Sequence, residues 1–110
     1  GDLTLNDKAL TLGNAGDESF VQVIATGGIS SFSLDVVRAF TNSNTRTLEL
    51  FINDISYGTF SVDVMSDTAQ QWTVNDINVE GNITIKVVSI NTGSRGATTV
   101  DNFKWTDYPN

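Results

Sequence analysis

Chemistry in this chain must come from carboxylates, amides, hydroxyls and aromatic rings, because it contains neither cysteine nor histidine. Thiol catalysis, histidine-based triads and the usual zinc and iron sites are excluded on that ground. Glycoside hydrolysis needs two carboxylates held about 5–9.5 Å apart across a cleft. Asp35, Glu49, Asp54, Asp63, Asp67, Asp76, Glu80 and Asp101 are available, but none forms a telling pair by spacing. With 13 acids in 110 residues, chance neighbours are unavoidable, and a chain this short has little material for a deep cleft. The reading is therefore not an enzyme.

Sugar binding asks for different parts. Sugar rings present flat C–H faces to aromatic side chains, while fixed polar groups orient the hydroxyls. Of the two Trp, two Tyr and six Phe, the residues Phe20, Phe32, Phe40, Phe60 and Phe103 are most economically core. Tyr57 is the best candidate for an outer-face platform, with Phe51 beside it. Trp72 follows Gln70-Gln71 and is either a further platform or, through its shared parity with Val74, part of the core. Arg46, Asn53, Asp54 and Arg95 are placed to supply polar contacts from hairpin or loop positions, and Trp105 and Tyr108 lie near the end, where they would cap the fold.

The elements that must carry these residues are strands. Helical periodicity is almost absent, and short runs with two-residue alternation follow one another. The runs are Leu3–Leu5, Ala9–Leu12, Ser19–Ala25, Ser30–Phe40, Arg46–Asn53, Tyr57–Val64, Gln70–Val74, Asn82–Ile90 and Ala97–Trp105. Between them lie Gly-, Asn-, Asp- and Ser-rich segments that supply positive φ or local side-chain hydrogen bonds. In the clearest hairpin, Leu48, Leu50 and Ile52 point one way and are expected to share a core with Phe60 and Val62. Glu49, Phe51, Tyr57 and Thr59 are then expected on the other face. The last strand breaks its alternation, since Val100 and Phe103 are both apolar but three apart. A β-bulge at Asp101-Asn102 would turn both inward and re-aim the Asp101 carboxylate, or simply curve the strand. Regular strand spacing of this kind predicts an all-β fold, an antiparallel β-sandwich of jelly-roll type.

Length predicts one domain over residues 1–110. The net charge is -7, and Lys8, Arg38, Arg46, Lys86, Arg95 and Lys104 are scattered. Nucleic acid and anionic membranes need clustered cations, so both are disfavoured as partners. No apolar run is long enough for membrane insertion. Low charge content with many Ser, Thr and Asn residues fits an all-β extracellular or cell-surface module. It is expected to be joined to other domains in a longer secreted protein.

Several segments carry a resemblance: Lys8-Ala-Leu-Thr-Leu-Gly13, Gly28-Ile-Ser-Ser-Phe-Ser-Leu-Asp35, the hairpin Leu48–Phe60, Val79-Glu-Gly-Asn-Ile-Thr-Ile85 and Val100-Asp-Asn-Phe-Lys-Trp105. Together the chain resembles the small C-terminal jelly-roll accessory modules of secreted Bacteroidetes proteins, which are similar to carbohydrate-binding modules. The resemblance spans nearly the whole chain, and its motifs are mostly structural. It implies a polysaccharide or glycan as partner. It also implies a structural calcium between an early loop and an aspartate of the last strand. Asp101 falls where that aspartate would, and Asp17 and Glu18 are its natural partners; the alternative is that all three serve only local turns and amides. The functional expectation is non-catalytic carbohydrate binding, with a structural or protein-interaction role as the alternative.

Overall fold

The structure is a computed structural model that describes residues 2–3, 10–12, 19–38, 47–62, 68–90 and 98–109. The strands in chain order are β1 (Asp2–Leu3), β2 (Leu10–Leu12), β3 (Ser19–Ala25), β4 (Ser31–Arg38), β5 (Thr47–Ile52), β6 (Ile55–Ser61), β7 (Gln70–Val74), β8 (Ile83–Ser89) and β9 (Thr98–Thr106). They form two antiparallel sheets. One is five-stranded, ordered β1-β9-β4-β7 with β2 also on β9; the other is four-stranded, ordered β3-β8-β5-β6. Apart from the β5–β6 hairpin, successive strands from β3 onward alternate between the sheets. That crossing pattern gives the expected all-β jelly-roll sandwich, because each strand has one apolar face and the two sheets bury those faces against each other.

The core follows the alternation. Phe32, Leu34 and Val36 of β4 face Leu48, Leu50 and Ile52 of β5, Ile83, Ile85 and Val87 of β8, and Val100 and Phe103 of β9, all almost wholly buried. Each such side chain contributes about 1.5–3 kcal/mol on full burial. An aromatic run threads this core. Phe60 stacks on Trp72 at 5.7 Å, Trp72 meets Phe32 edge-on at 5.7 Å, Phe32 meets Phe103 at 5.0 Å, and Phe103 meets Trp105 at 5.9 Å.

The bulge expected at the end of the chain is present. Between Ser33↔Lys104 and Asp35↔Asp101, β9 carries one residue more than β4. Asn102 takes φ 52° there, a conformation Asn tolerates, so Val100 and Phe103 both turn inward. A second bulge lies in β6 between Glu49↔Thr59 and Phe51↔Ser56, with Gly58 at φ 113°. It changes the expected facing of the hairpin: Tyr57 packs on the core together with Phe60 instead of standing on the outer face. The hairpin turn is also tighter than expected. Asn53 (φ 53°) and Asp54 (φ 67°) form it alone, and the ladder resumes at Ile52↔Ile55.

Phe20 departs from its expected place in the core. Val21 and Val23 take the inward positions of β3, which leaves Phe20 half exposed on the outer face opposite Val88. The run Phe-Val-Gln-Val-Ile has apolar residues on both parities, so alternation alone does not choose between them. Phe40 lies outside the described residues.

Candidate functional site

The strand ends sort the site residues into two poles. β3, β5, β8 and β9 meet one pole at Ser19, Thr47, Ser89 and Thr98. Asp17, Glu18, Arg46 and Arg95 lie outside the described residues. At the other pole stand the β3–β4 connection, the Asn53-Asp54 turn, the 75–82 segment between β7 and β8, and the chain after Thr106.

The aromatic platforms do not gather as one exposed set. Trp72 is 5% exposed, with Phe60 stacked on one side and the Phe32 edge against it, so its ring has no open face for a sugar. Tyr57 is half-buried against the core through the β6 bulge. Phe51 stays on the outer face of the four-stranded sheet, half-buried, directly across from Lys86. Asp54 joins it in a shallow groove of about 220 Å³ lined by Glu49, Phe51, Asp54, Lys86, Val88 and Ile90. Glu49 Oε2 accepts from Ser56 Oγ at 2.6 Å, which holds that carboxylate on the groove wall. Lys86 Nζ lies 4.4 Å from the centroid of the Phe20 ring, a diagonal cross-strand cation–π contact. Asn53 is spent on the fold: its Oδ1 accepts from Thr84 N at 2.9 Å, and its own N–H donates to Thr84 O at 3.0 Å.

Sequence reasoning missed Glu49 and Lys86 as groove residues. The signal was present, since alternation placed both on the outer parity, but only the β5–β8 register sets Lys86 beside Phe51.

The outer face of the five-stranded sheet is different in kind. Its groove, about 420 Å³, is lined on the open side by Ser31, Ser33, Gln71, Thr73, Lys104 and Thr106. Ser31 and Thr106 share a hydroxyl hydrogen bond of 2.8 Å. Further along the same face, Asp101 lies directly opposite Asp35. Asp101 Oδ1 accepts from Asn102 N at 2.8 Å, and Asn102 Nδ2 donates to Asp35 Oδ2 at 2.6 Å. Both carboxylates retain further lone pairs, and hard oxygen donors of this kind suit calcium. β2 ends at Leu12 opposite Thr98, three residues before Asp101 in β9, and Asp17 and Glu18 lie outside the described residues. Among the described residues alone, no group of three or more acidic side chains converges.

No family model matches the chain, and no curated protein matches it in sequence. Solved structures do match in fold. The carbohydrate-binding module CBM36 in complex with calcium and xylotriose superposes with a TM-score of 0.64 at 17% identity, covering 96% of this chain and 87% of that one. The CBM36-1 domain of a multidomain xylanase from the hindgut metagenome of Trinervitermes trinervoides gives 0.58 at 19% identity, covering 96% and 80%. The secreted serine protease VesC from Vibrio cholerae gives 0.61 at 14% identity, covering 90% of this chain and 21% of that one. These likenesses establish a shared fold, found both as a sugar-binding unit and as part of a protease.

Proposed function

We propose that this chain is a non-catalytic carbohydrate-binding module of a secreted or cell-surface bacterial protein, of the kind found as accessory domains in Bacteroidetes. The observation that carries the reading is the groove on the four-stranded sheet, where the Phe51 ring lies among Glu49, Asp54 and Lys86. A ring flanked by fixed hydrogen-bonding groups is what stacking on a sugar requires. The fold shared with modules whose structures contain xylotriose or come from a xylanase supports it. Arg46 and Arg95 would add polar contacts to the sugar. Calcium would be structural, held by Asp101 with Asp17 and Glu18, and would supply charge neutralisation for the carboxylates around β9.

A protein-contact role is the second reading. Phe20, Ile24 and Ile55 are 51%, 73% and 62% exposed on the four-stranded sheet and its hairpin tip, which is apolar surface of the kind partners cover.

A glycan array probed in millimolar calcium tests the proposal. A reproducible hit that disappears with Phe51→Ala supports it and locates the platform. A blank array across plant, algal, host and bacterial glycans overturns it in favour of protein contact.

A further inference from the structure

A cleft at the described pole has chemistry that neither the groove nor the calcium reading uses. It measures about 480 Å³ and is lined by Ser30, Ser31, Asn75, Asp76, Asn78, Tyr108 and Pro109. Its walls are pinned from both sides. Ile29 N donates to Val79 O at 2.8 Å, Val79 N to Ile29 O at 2.9 Å, and Ile77 N to Ser30 O at 2.9 Å. On the far wall, Tyr108 N donates to Gly27 O at 2.9 Å, and Ser30 Oγ to Asp107 O at 3.0 Å. Gly28 makes this closeness possible: at φ 70° a Cβ there would lie 2.5 Å from Val79 O and 2.9 Å from Tyr108 Cβ.

The segment between the walls presents its polar groups outward. Ile77 is 5% exposed and anchors in the core, while Asp76 (φ 59°) and Asn78 (φ 53°) on either side take the left-handed conformation and stay exposed. Such backbone is strained for most side chains, least for Asn and Asp, and is concentrated at ligand sites. Asn75 and Asn78 offer amides that both donate and accept, and the Asp76 carboxylate can accept from two vicinal hydroxyls. The Tyr108 ring, 37% exposed, and Pro109 supply an apolar floor. Among the described residues no Lys or Arg lines the cleft, and Asp76 stands in it, so an anionic ligand would meet repulsion without a counter-charge from them.

We propose that this pole cleft is a second, separate subsite for a neutral saccharide, bound without metal by Asn75, Asp76 and Asn78 over the Tyr108 ring. The ligand class rests on the carbohydrate-binding reading; the location does not. Walls already held by backbone hydrogen bonds reduce the ordering cost of binding there.

The test is an amide-resolved NMR titration of the whole chain with xylotriose, cellotriose, mannotriose and galactotriose, and with digalacturonate as the anionic probe, each up to about 20 mM, above the affinities expected of shallow sites. The expected result is that amides of residues 75–79 and Tyr108 shift with at least one neutral trisaccharide and not with digalacturonate, in the presence of EDTA. Asn78→Gly, which keeps the backbone conformation while removing the amide, and Tyr108→Ala are each expected to weaken that binding about tenfold. Shifts confined to residues 49–54 and 86–90 would overturn the pole subsite and leave the carbohydrate-binding reading standing. No shift anywhere would overturn both. Equal shifts with digalacturonate would overturn the neutral assignment.

Discussion

Among the described residues the phenylalanines and tryptophans divide into a buried run and an outward pair. Phe60, Trp72, Phe32, Phe103 and Trp105 touch ring to ring through the sandwich, whereas Phe20 and Phe51 stand on the outer face beside Lys86. The residue types are the same, and the difference is parity. A ring on the inward parity is surrounded by other strands and holds the sheets together; one on the outward parity meets only cross-strand neighbours and remains open to a ligand. Aromatic content therefore says little about binding until the register of each strand is known.

The largest expected effect comes from breaking the buried run. Trp72→Ala should cost about 3–5 kcal/mol, read by chemical denaturation, because it removes a ring packed against both Phe60 and Phe32. A cost under about 1 kcal/mol would mean that Trp72 does not pack against Phe60 and Phe32 in the core.

Calcium removal should strike the same side of the comparison. β9 carries Phe103 and Trp105 of the buried run together with Asp101. If calcium sits at Asp101 at about a hundredfold excess over its Kd, EDTA removes about 2.7 kcal/mol of stability. That corresponds to a fall in Tm of about 10 °C, measured by calorimetry. Below that lowered Tm, binding at the Phe51 groove should persist. An unchanged Tm after exhaustive chelation would count against a structural ion.

Gly58→Ala probes the bulge that assigns Tyr57 to the buried side. A Cβ at Gly58 would meet nothing within 4 Å, so the cost comes from φ 113° alone. It should be about 1–3 kcal/mol. A neutral result would mean that β6 pairs without the bulge and that Tyr57 faces outward.

On the outward side, Phe51→Ala should weaken glycan binding at least about tenfold while changing stability by only about 1 kcal/mol. Isothermal titration beside a melt separates the two effects. Lys86→Ala should cost least, about 0.5–1 kcal/mol for an exposed cation–π contact. A larger loss in binding than in stability would place the ammonium on the ligand.

The two bulges show how far the sequence can be read. In β9 the apolar pair Val100 and Phe103, three apart around Asp101-Asn102, announces the extra residue, and the structure has it there. Tyr57 and Phe60 are also three apart, around Gly58, which is the same signal. There it is ambiguous, because Phe51 and Tyr57 also make a plausible outer-face pair when Ile55-Ser56 is taken as loop. The pole cleft was less legible still. Asn75, Asp76 and Asn78 look like ordinary turn residues, and Tyr108 lies about thirty residues away in the chain, brought alongside by backbone bonds through Gly27–Ser30.

The sequence by itself determined where most of the strands run along the chain, the jelly-roll class and most of the core, because two-residue alternation and turn chemistry are local properties. It also placed one bulge. Only the tertiary structure decided which parity of β3 faces in, that Trp72 and Tyr57 belong to the packed interior, that Lys86 stands beside Phe51, and that the 75–78 segment closes a cleft with Tyr108. Those outcomes depend on cross-strand register and sheet-to-sheet packing, which are set by contacts between residues far apart in the chain and so leave no local trace in it.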